Sequence, residues 1–186
     1  LQVLENMKGV LKTETDSAGH NMIYFEQAKD ICPKQEDWFT ECADNGIIVP
    51  IGYLDGGETC KMVFDDSRVH TIVNGDTGAG KTNLLHVLIT NILLRYPSEE
   101  VELYLIDFKR GKEFRKYTSF NLPSLKAVSI GNEPEYVLQV LKDIDAQMAN
   151  RNTLFGDIIT KLSDYNQIHA DRKLPRIVVI LDELYE

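Results

Sequence analysis

Apolar residues recur along this chain with two different periods, and the switching between them outlines a fold. Ile47-Ile48-Val49-Pro50-Ile51 and Cys60-Lys61-Met62-Val63-Phe64 flank the turn-rich segment Leu54-Asp55-Gly56-Gly57-Glu58. Asp-Gly supplies the positive φ that a tight turn requires, so the spacing predicts a β-hairpin over 47–64. Val69 to Asn74, Val101 to Asp107 and Leu125 to Ile130 read as strands, and Thr82 to Tyr96 as a helix. Asn132-Glu133-Pro134-Glu135 opens a second helix with a side-chain cap, a proline in the first turn and an acid three residues after the cap. Val137, Leu141, Ile144 and Met148 follow at spacings of four, three and four, which predicts one buried stripe. A looser helical pattern runs from Ile158 to His169. Ile177-Val178-Val179-Ile180-Leu181 is then a continuous apolar run, suited to a parallel strand buried on both faces. Strands alternating with helices predict an α/β fold built on a parallel sheet.

The first 43 residues follow a different pattern and predict a helical accessory or linker segment ahead of a main domain over 44–186. Leu1 to Leu11 reads as a short helix, and Thr13 to Asn21 as a polar, glycine-containing linker or turn. Ile23 to Ile31 and Glu36 to Ala43 follow as helical stretches, with Trp38 and Phe39 as anchors. No internal repeat or low-complexity tract is present.

Composition changes this picture little. With 186 residues, 43% hydrophobic and 26% charged, the chain can build one sizeable core plus a small appended element. The longest apolar stretch, around Leu84 to Leu94, is interrupted by His86, Thr90 and Asn91 and is too short to span a bilayer. No signal peptide is visible, and Cys32, Cys42 and Cys60 lack metal-ligand spacing, so they suit reduced thiols in a cytoplasmic protein. The four histidines are scattered. A net charge of −9 excludes a protein that coats nucleic acid over a broad basic face. Lys109, Arg110, Lys112, Arg115 and Lys116 do form a run, interleaved with Phe108, Phe114 and Tyr117. Two readings of it stand side by side: a solvated amphipathic segment, or a contact to phosphate.

Chemistry enters with Gly75-Asp76-Thr77-Gly78-Ala79-Gly80-Lys81-Thr82, which satisfies the phosphate-binding loop pattern G-x-x-x-x-G-K-[ST]. Glycines let the backbone curl so that successive N–H groups face a nucleotide's phosphates. Lys81 would reach the β- and γ-phosphates, and the Thr82 hydroxyl would ligate Mg²⁺. The loop follows an expected strand and opens an expected helix, whose N-terminal dipole favours anions. Asp182 and Glu183 end the apolar run at 177–183, at the strand edge where α/β sheets bind ligands. Asp182 would hold Mg²⁺ through a water, and Glu183 would orient and deprotonate the attacking water. The second carboxylate predicts an ATPase and not merely a nucleotide binder.

From about Asn45 to Glu186 the chain resembles the FtsK/SpoIIIE branch of the FtsK–HerA superfamily of P-loop motors. The loop is similar to that branch's G-x-T-G-[SA]-G-K-[ST]. Leu105-Ile106-Asp107-Phe108-Lys109 resembles its Asp-x-Lys at a strand end. Met148 through Arg151, then Tyr165-Asn166, resemble its arginine after a long helix and its later Tyr-Asn. The Asp-Glu strand and the hairpin with Val49-Pro50-Ile51-Gly52 are similar as well. The resemblance implies a RecA-like ATPase acting as a homo-hexameric ring, using ATP and Mg²⁺ to move double-stranded DNA. A sister group, to which Trp38 ahead of the hairpin also points, powers polypeptide export in type VII secretion. It places Asp107 and Lys109 near the nucleotide or the next subunit; by residues alone they equally suit a strand-end turn with surface charges. It also implies a cytoplasmic location, with membrane attachment through segments outside this chain.

RecA-like sheets of this branch insert a later strand between the loop strand and the Asp-Glu strand. The sequence stops at Glu186, so the expectation is a piece of a longer protein, with the C-terminal part of the core missing.

Overall fold

The computed structural model describes residues 10–15, 21–26, 46–54, 57–76, 78–108, 113–129 and 134–183. They fall into two compact units, Leu1–Arg95 and Tyr96–Glu186.

The first unit opens with a hairpin, where the local pattern predicts helices and a linker. Strands β1 (Val10–Thr15) and β2 (Asn21–Glu26) pair antiparallel, from Val10 opposite Glu26 to Thr15 opposite Asn21. Propensity explains the difference. Met22-Ile23-Tyr24-Phe25 is rich in β-branched and aromatic residues, which fit a pleated surface, and Thr13 and Thr15 favour the same state. The helix expected at Glu36 to Ala43, with Trp38 and Phe39, lies outside the described residues. β1 runs close to strand β3 (Ile47–Tyr53), which pairs antiparallel with β4 (Thr59–Phe64) as the spacing predicts. Gly57 takes φ 80° at the connecting turn, and the Leu54 N–H donates to Glu58 O at 2.8 Å across it. Helix α1 (Lys81–Arg95) packs on β3. Leu84 to Ile89 are buried in succession, and Arg95 Nη1 donates to the Ile48 carbonyl at 3.0 Å, tying the end of α1 to β3.

The strand expected over Val69 to Asn74 does not form. Only an isolated bridge at Ile72 occurs there, and Val69 and Ile72 are 58% and 76% exposed. β-branched residues favour extended backbone, but a strand persists only where a neighbour takes its N–H and C=O groups.

The second unit is a three-stranded parallel sheet of order β6-β5-β7, formed by β5 (Val101–Asp107), β6 (Leu125–Val128) and β7 (Arg176–Asp182). β5 is central, and every residue of it but Glu102 is buried. It therefore needs apolar side chains on both faces, which Val101, Leu103, Leu105 and Tyr104, Ile106 supply. A short 3₁₀ helix (Arg115–Ser119) precedes β6; helices α2 (Pro134–Phe155) and α3 (Leu162–Ile168) carry the chain from β6 to β7. Helix α2 starts at the expected proline, while its expected cap at Asn132 lies outside the described residues. One face of the sheet, with Tyr104 and Ile106, is covered by Val137, Val140 and Ile144 of α2.

The stripe that α2 buries differs from the expected one. Val137 and Val140 are buried and Ile144 half-buried, whereas Leu141 and Met148 are 42% and 47% exposed. The stripe continues through Gln147 and Arg151, both of which pack their stems inward and hydrogen-bond at the tip: Gln147 Nε2 donates to Tyr104 Oη at 2.9 Å. The aromatics of the basic run are core as well. Phe114 and Tyr117 are buried with ring centroids 6.5 Å apart, while Arg115 and Lys116 stay exposed. Over 113–117 this is the alternation of an amphipathic segment; Lys109, Arg110 and Lys112 lie outside the described residues. No helix among the described residues is long and apolar enough to cross a membrane.

Val140→Ala should lower stability by about 1.5–2.5 kcal/mol, from roughly 0.8 kcal/mol per buried methyl-sized group plus a cavity. Leu141→Ala should stay within about 0.5 kcal/mol of wild type. Urea midpoints of the two variants check the stripe directly.

Candidate nucleotide site

In the first unit the described residues of the expected phosphate-binding loop, 75–76 and 78–82, make a tight turn into α1. Gly78 and Gly80 take φ of 84° and 95°, conformations that L side chains rarely adopt. A Cβ on Gly75 would meet the Ala79 methyl at 3.3 Å, tighter than most such contacts. The Ala79 N–H donates to the Asp76 carbonyl at 3.0 Å, closing the turn, and Asn74 Oδ1 accepts the Gly75 N–H at 2.9 Å. Lys81 is the first residue of α1, and the first backbone bond into the helix is Leu84 N–H to Gly80 O at 3.0 Å. Amides in the first turn of a helix have no acceptor within it, so donors and the positive dipole end collect at this point, toward an anion. Lys81 and Thr82 are both half-buried at this terminus, and α1 carries no acid in its first turn to repel one. Thr77 lies outside the described residues.

The second unit carries the acids. β5 and β7 pair in continuous parallel register from Val101 opposite Arg176 to Asp107 opposite Asp182. Asp107 and Asp182 are thus neighbours at the carboxyl edge, on the face turned away from α2, and both are buried at 2% and 4% exposure. Each is held by backbone donors: Asp107 Oδ2 accepts the Glu113 N–H at 3.3 Å, and Asp182 Oδ1 accepts the Glu183 N–H at 3.1 Å. The Phe108 N–H donates to Asp182 O at 3.2 Å, extending the β5–β7 pairing past the carboxylates. Glu183 follows at φ 55°, the only non-glycine residue in the left-handed region among the described residues. Such a conformation costs about 1–3 kcal/mol. It turns the chain sharply, so that Asp182 stays with the sheet while half-buried Glu183 leaves it. Lys109, predicted beside Asp107, lies outside the described residues.

No group of three or more His, Cys, Asp or Glu side chains suited to a metal ion occurs among the described residues. The residues expected to hold Mg²⁺, Thr82 in the first unit and Asp182 in the second, each offer a hard oxygen of the type that ion prefers.

Arg151 is where sequence reasoning misses most. A single arginine on a helix reads as solvated, yet its side chain is 11% exposed and its guanidinium donates to the Pro175 carbonyl at 2.7 Å. Burial draws its pKa below the ordinary arginine value, with Glu102 acting in the opposite sense. The signal is the helical spacing from Val140 through Ile144 and Gln147, visible only if long polar side chains count as core.

Comparison with known proteins matches residues 47–181 to the model of the FtsK/SpoIIIE family. The chain belongs to the FtsK/SpoIIIE family. It is 36% identical to the DNA translocase FtsK of Listeria monocytogenes over 151 residues, 76% of this chain and 19% of that protein. It is 22% identical to the ESX secretion system protein YukB of Bacillus subtilis over 196 aligned residues, covering 100% of this chain and 13% of YukB. Among solved structures it is similar to the cytoplasmic domain of the type VII secretion ATPase EccC of Thermomonospora curvata. The TM-score is 0.61 at 22% identity, covering 78% of this chain and 18% of that one, which supports the α/β P-loop fold. The chain spans about a fifth or less of the length of these relatives.

Because nothing lies within 4 Å of a Cβ built on Gly80, Gly80→Ala costs backbone strain and not a clash. It should lower stability by about 1–2 kcal/mol and remove most nucleotide affinity. Thermal melting and titration with a fluorescent ATP analogue measure the two effects.

Proposed function

We propose that this chain is the ATP-hydrolysing part of a motor that moves double-stranded DNA. The observation that carries the reading is the 36% identity to a DNA translocase over 151 residues. The geometry supports hydrolysis specifically. A lysine and a threonine stand at the head of α1, and a buried aspartate is followed by a glutamate turned off the sheet. In this reading the loop amides from Gly75 to Thr82 and the Lys81 ammonium bind the phosphates. Thr82 and Asp182 hold the magnesium, which neutralises phosphate charge when bound. Glu183 takes the proton of the attacking water. Asp107, packed beside Asp182, steadies the edge that carries it. The working form is a homo-hexamer in the cytoplasm, attached to a membrane, if at all, by segments outside this chain.

A second reading is a motor for polypeptide export. The match to YukB extends over the whole chain, including the first 43 residues, while the match to the Listeria translocase covers 76% of it. The net charge of −9 also favours a partner other than a polyanion.

Lys81→Ala should abolish ATP binding, whereas Glu183→Gln should keep binding and slow hydrolysis by about 10²–10⁴-fold. Double-stranded DNA should raise the wild-type ATPase rate several-fold, with an effect that falls as salt rises. A rate indifferent to DNA at low salt would favour the export motor. A Glu183→Gln variant with unchanged turnover would remove Glu183 as the base, and a wild type without turnover would remove the enzymatic reading.

A further inference from the structure

The acid strand β7 has an unusual problem of register. Among the described residues it is an outer strand of its sheet, paired on one side, to β5. Its run Ile177-Val178-Val179-Ile180 is apolar on both faces, and the first three of these residues are all half-buried. A strand with one greasy face loses its core contacts when it slips by one residue; a strand alike on both faces does not. Hydrophobic patterning therefore fixes the register of β7 weakly, although a slip of one residue would carry Asp182 to the opposite face. A slip of two would move it by about 6–7 Å along the edge.

The polar contacts at the other end of the strand supply what the pattern lacks. Asn166 Nδ2 donates to the Leu174 carbonyl at 2.9 Å, and the Leu174 N–H donates back to Asn166 Oδ1 at 2.8 Å. Arg151 Nη1 donates to the Pro175 carbonyl at 2.7 Å, and the Arg176 N–H donates to Glu100 O at 2.8 Å. Pro175 has no N–H. Every backbone donor and acceptor from Leu174 N–H to Arg176 N–H is thus taken, and two of the partners are side chains of α2 and α3. Both side chains are themselves anchored. Arg151 lies 3.8 Å from Glu102 of β5, which also faces Lys126 of β6 at 3.7 Å. Asn166 follows Tyr165, which is buried between Phe155 and a stacked His169 with centroids at 5.1 and 4.3 Å.

We propose that Arg151 and Asn166 are positioning residues that clamp the entry of β7 and so set where Asp182 stands at its far end. Arg151 works within its own subunit, about 20 Å of strand away from the carboxylate. It does not reach into a neighbour's nucleotide site. The inference rests on the ATPase reading only for its catalytic consequence; the clamp itself is a property of the fold.

The test uses the wild-type protein and the variants Arg151→Ala, Arg151→Lys and Asn166→Ala. Amide hydrogen exchange over Val178 to Asp182 should accelerate about tenfold in both alanine variants, relative to the amides of α1, and return toward wild type in Arg151→Lys. The Mg²⁺ concentration for half-maximal ATP hydrolysis should rise about tenfold in the alanine variants, as for other residues that orient a metal ligand. Binding of a fluorescent ATP analogue in EDTA should stay unchanged. Exchange along β7 at the wild-type rate in folded alanine variants overturns the clamp. So does a Mg²⁺ dependence unaltered while rates fall only with the folded fraction. Recovery of activity on mixing Arg151→Ala with Lys81→Ala subunits would also overturn it, since that requires the arginine to act across subunits. If the wild type hydrolyses no ATP at any Mg²⁺ concentration, the ATPase reading fails, and the exchange measurement still decides the clamp.

Discussion

The parallel pairing of β5 with β7 governs the acidic half of this molecule. Seven consecutive residues of each strand face one another without interruption, and the ladder ends with two aspartates side by side. Burying two carboxylates at one edge is costly unless backbone donors meet them. Here Glu113 and Glu183 donate their amides to Asp107 and Asp182, and the Phe108 N–H takes the Asp182 carbonyl. The edge is stable as an acidic one because the chain leaving each strand turns back to hydrogen-bond it. Glu183 in the left-handed region is the consequence of that turn on β7.

The same logic, applied to an anion instead of a cation, shapes the loop of the first unit. Positive-φ glycines remove the side chains that would prevent a tight curl, and a helix begins at once, so amides collect at one point. The first unit thus collects N–H donors and a lysine at one helix terminus, and the second collects buried carboxylates at one sheet edge.

Much of this is legible in the sequence, and the failures have physical causes. β5 and the acid strand are readable to within a residue because mostly apolar runs of strand length have few alternative states. The loop is readable because its glycines and lysine serve one geometry. The α2 stripe comes out misphased because Gln147 and Arg151 bury their stems and hydrogen-bond at the tip, so a count of apolar residues alone chooses Leu141 and Met148. The hairpin of β1 and β2 escapes notice because the strand propensity of Met22-Ile23-Tyr24-Phe25 shows its weight only once the partner strand Val10–Thr15 is paired with it. Val69 to Asn74 fails in the opposite direction: its residues favour a strand, but an isolated bridge at Ile72 is all that the described residues give it. Pairing is a property of two segments, and local sequence reports one.

The most direct test is the structure of the protein crystallised with Mg²⁺ and a non-hydrolysable ATP analogue. The account predicts β- and γ-phosphate oxygens on the amides from Gly78 to Thr82 and on Lys81 Nζ, magnesium on the Thr82 hydroxyl, and Asp182 in the ion's water shell. A nucleotide bound away from the loop, or a magnesium ion with neither Thr82 nor Asp182 in its coordination sphere, would contradict it.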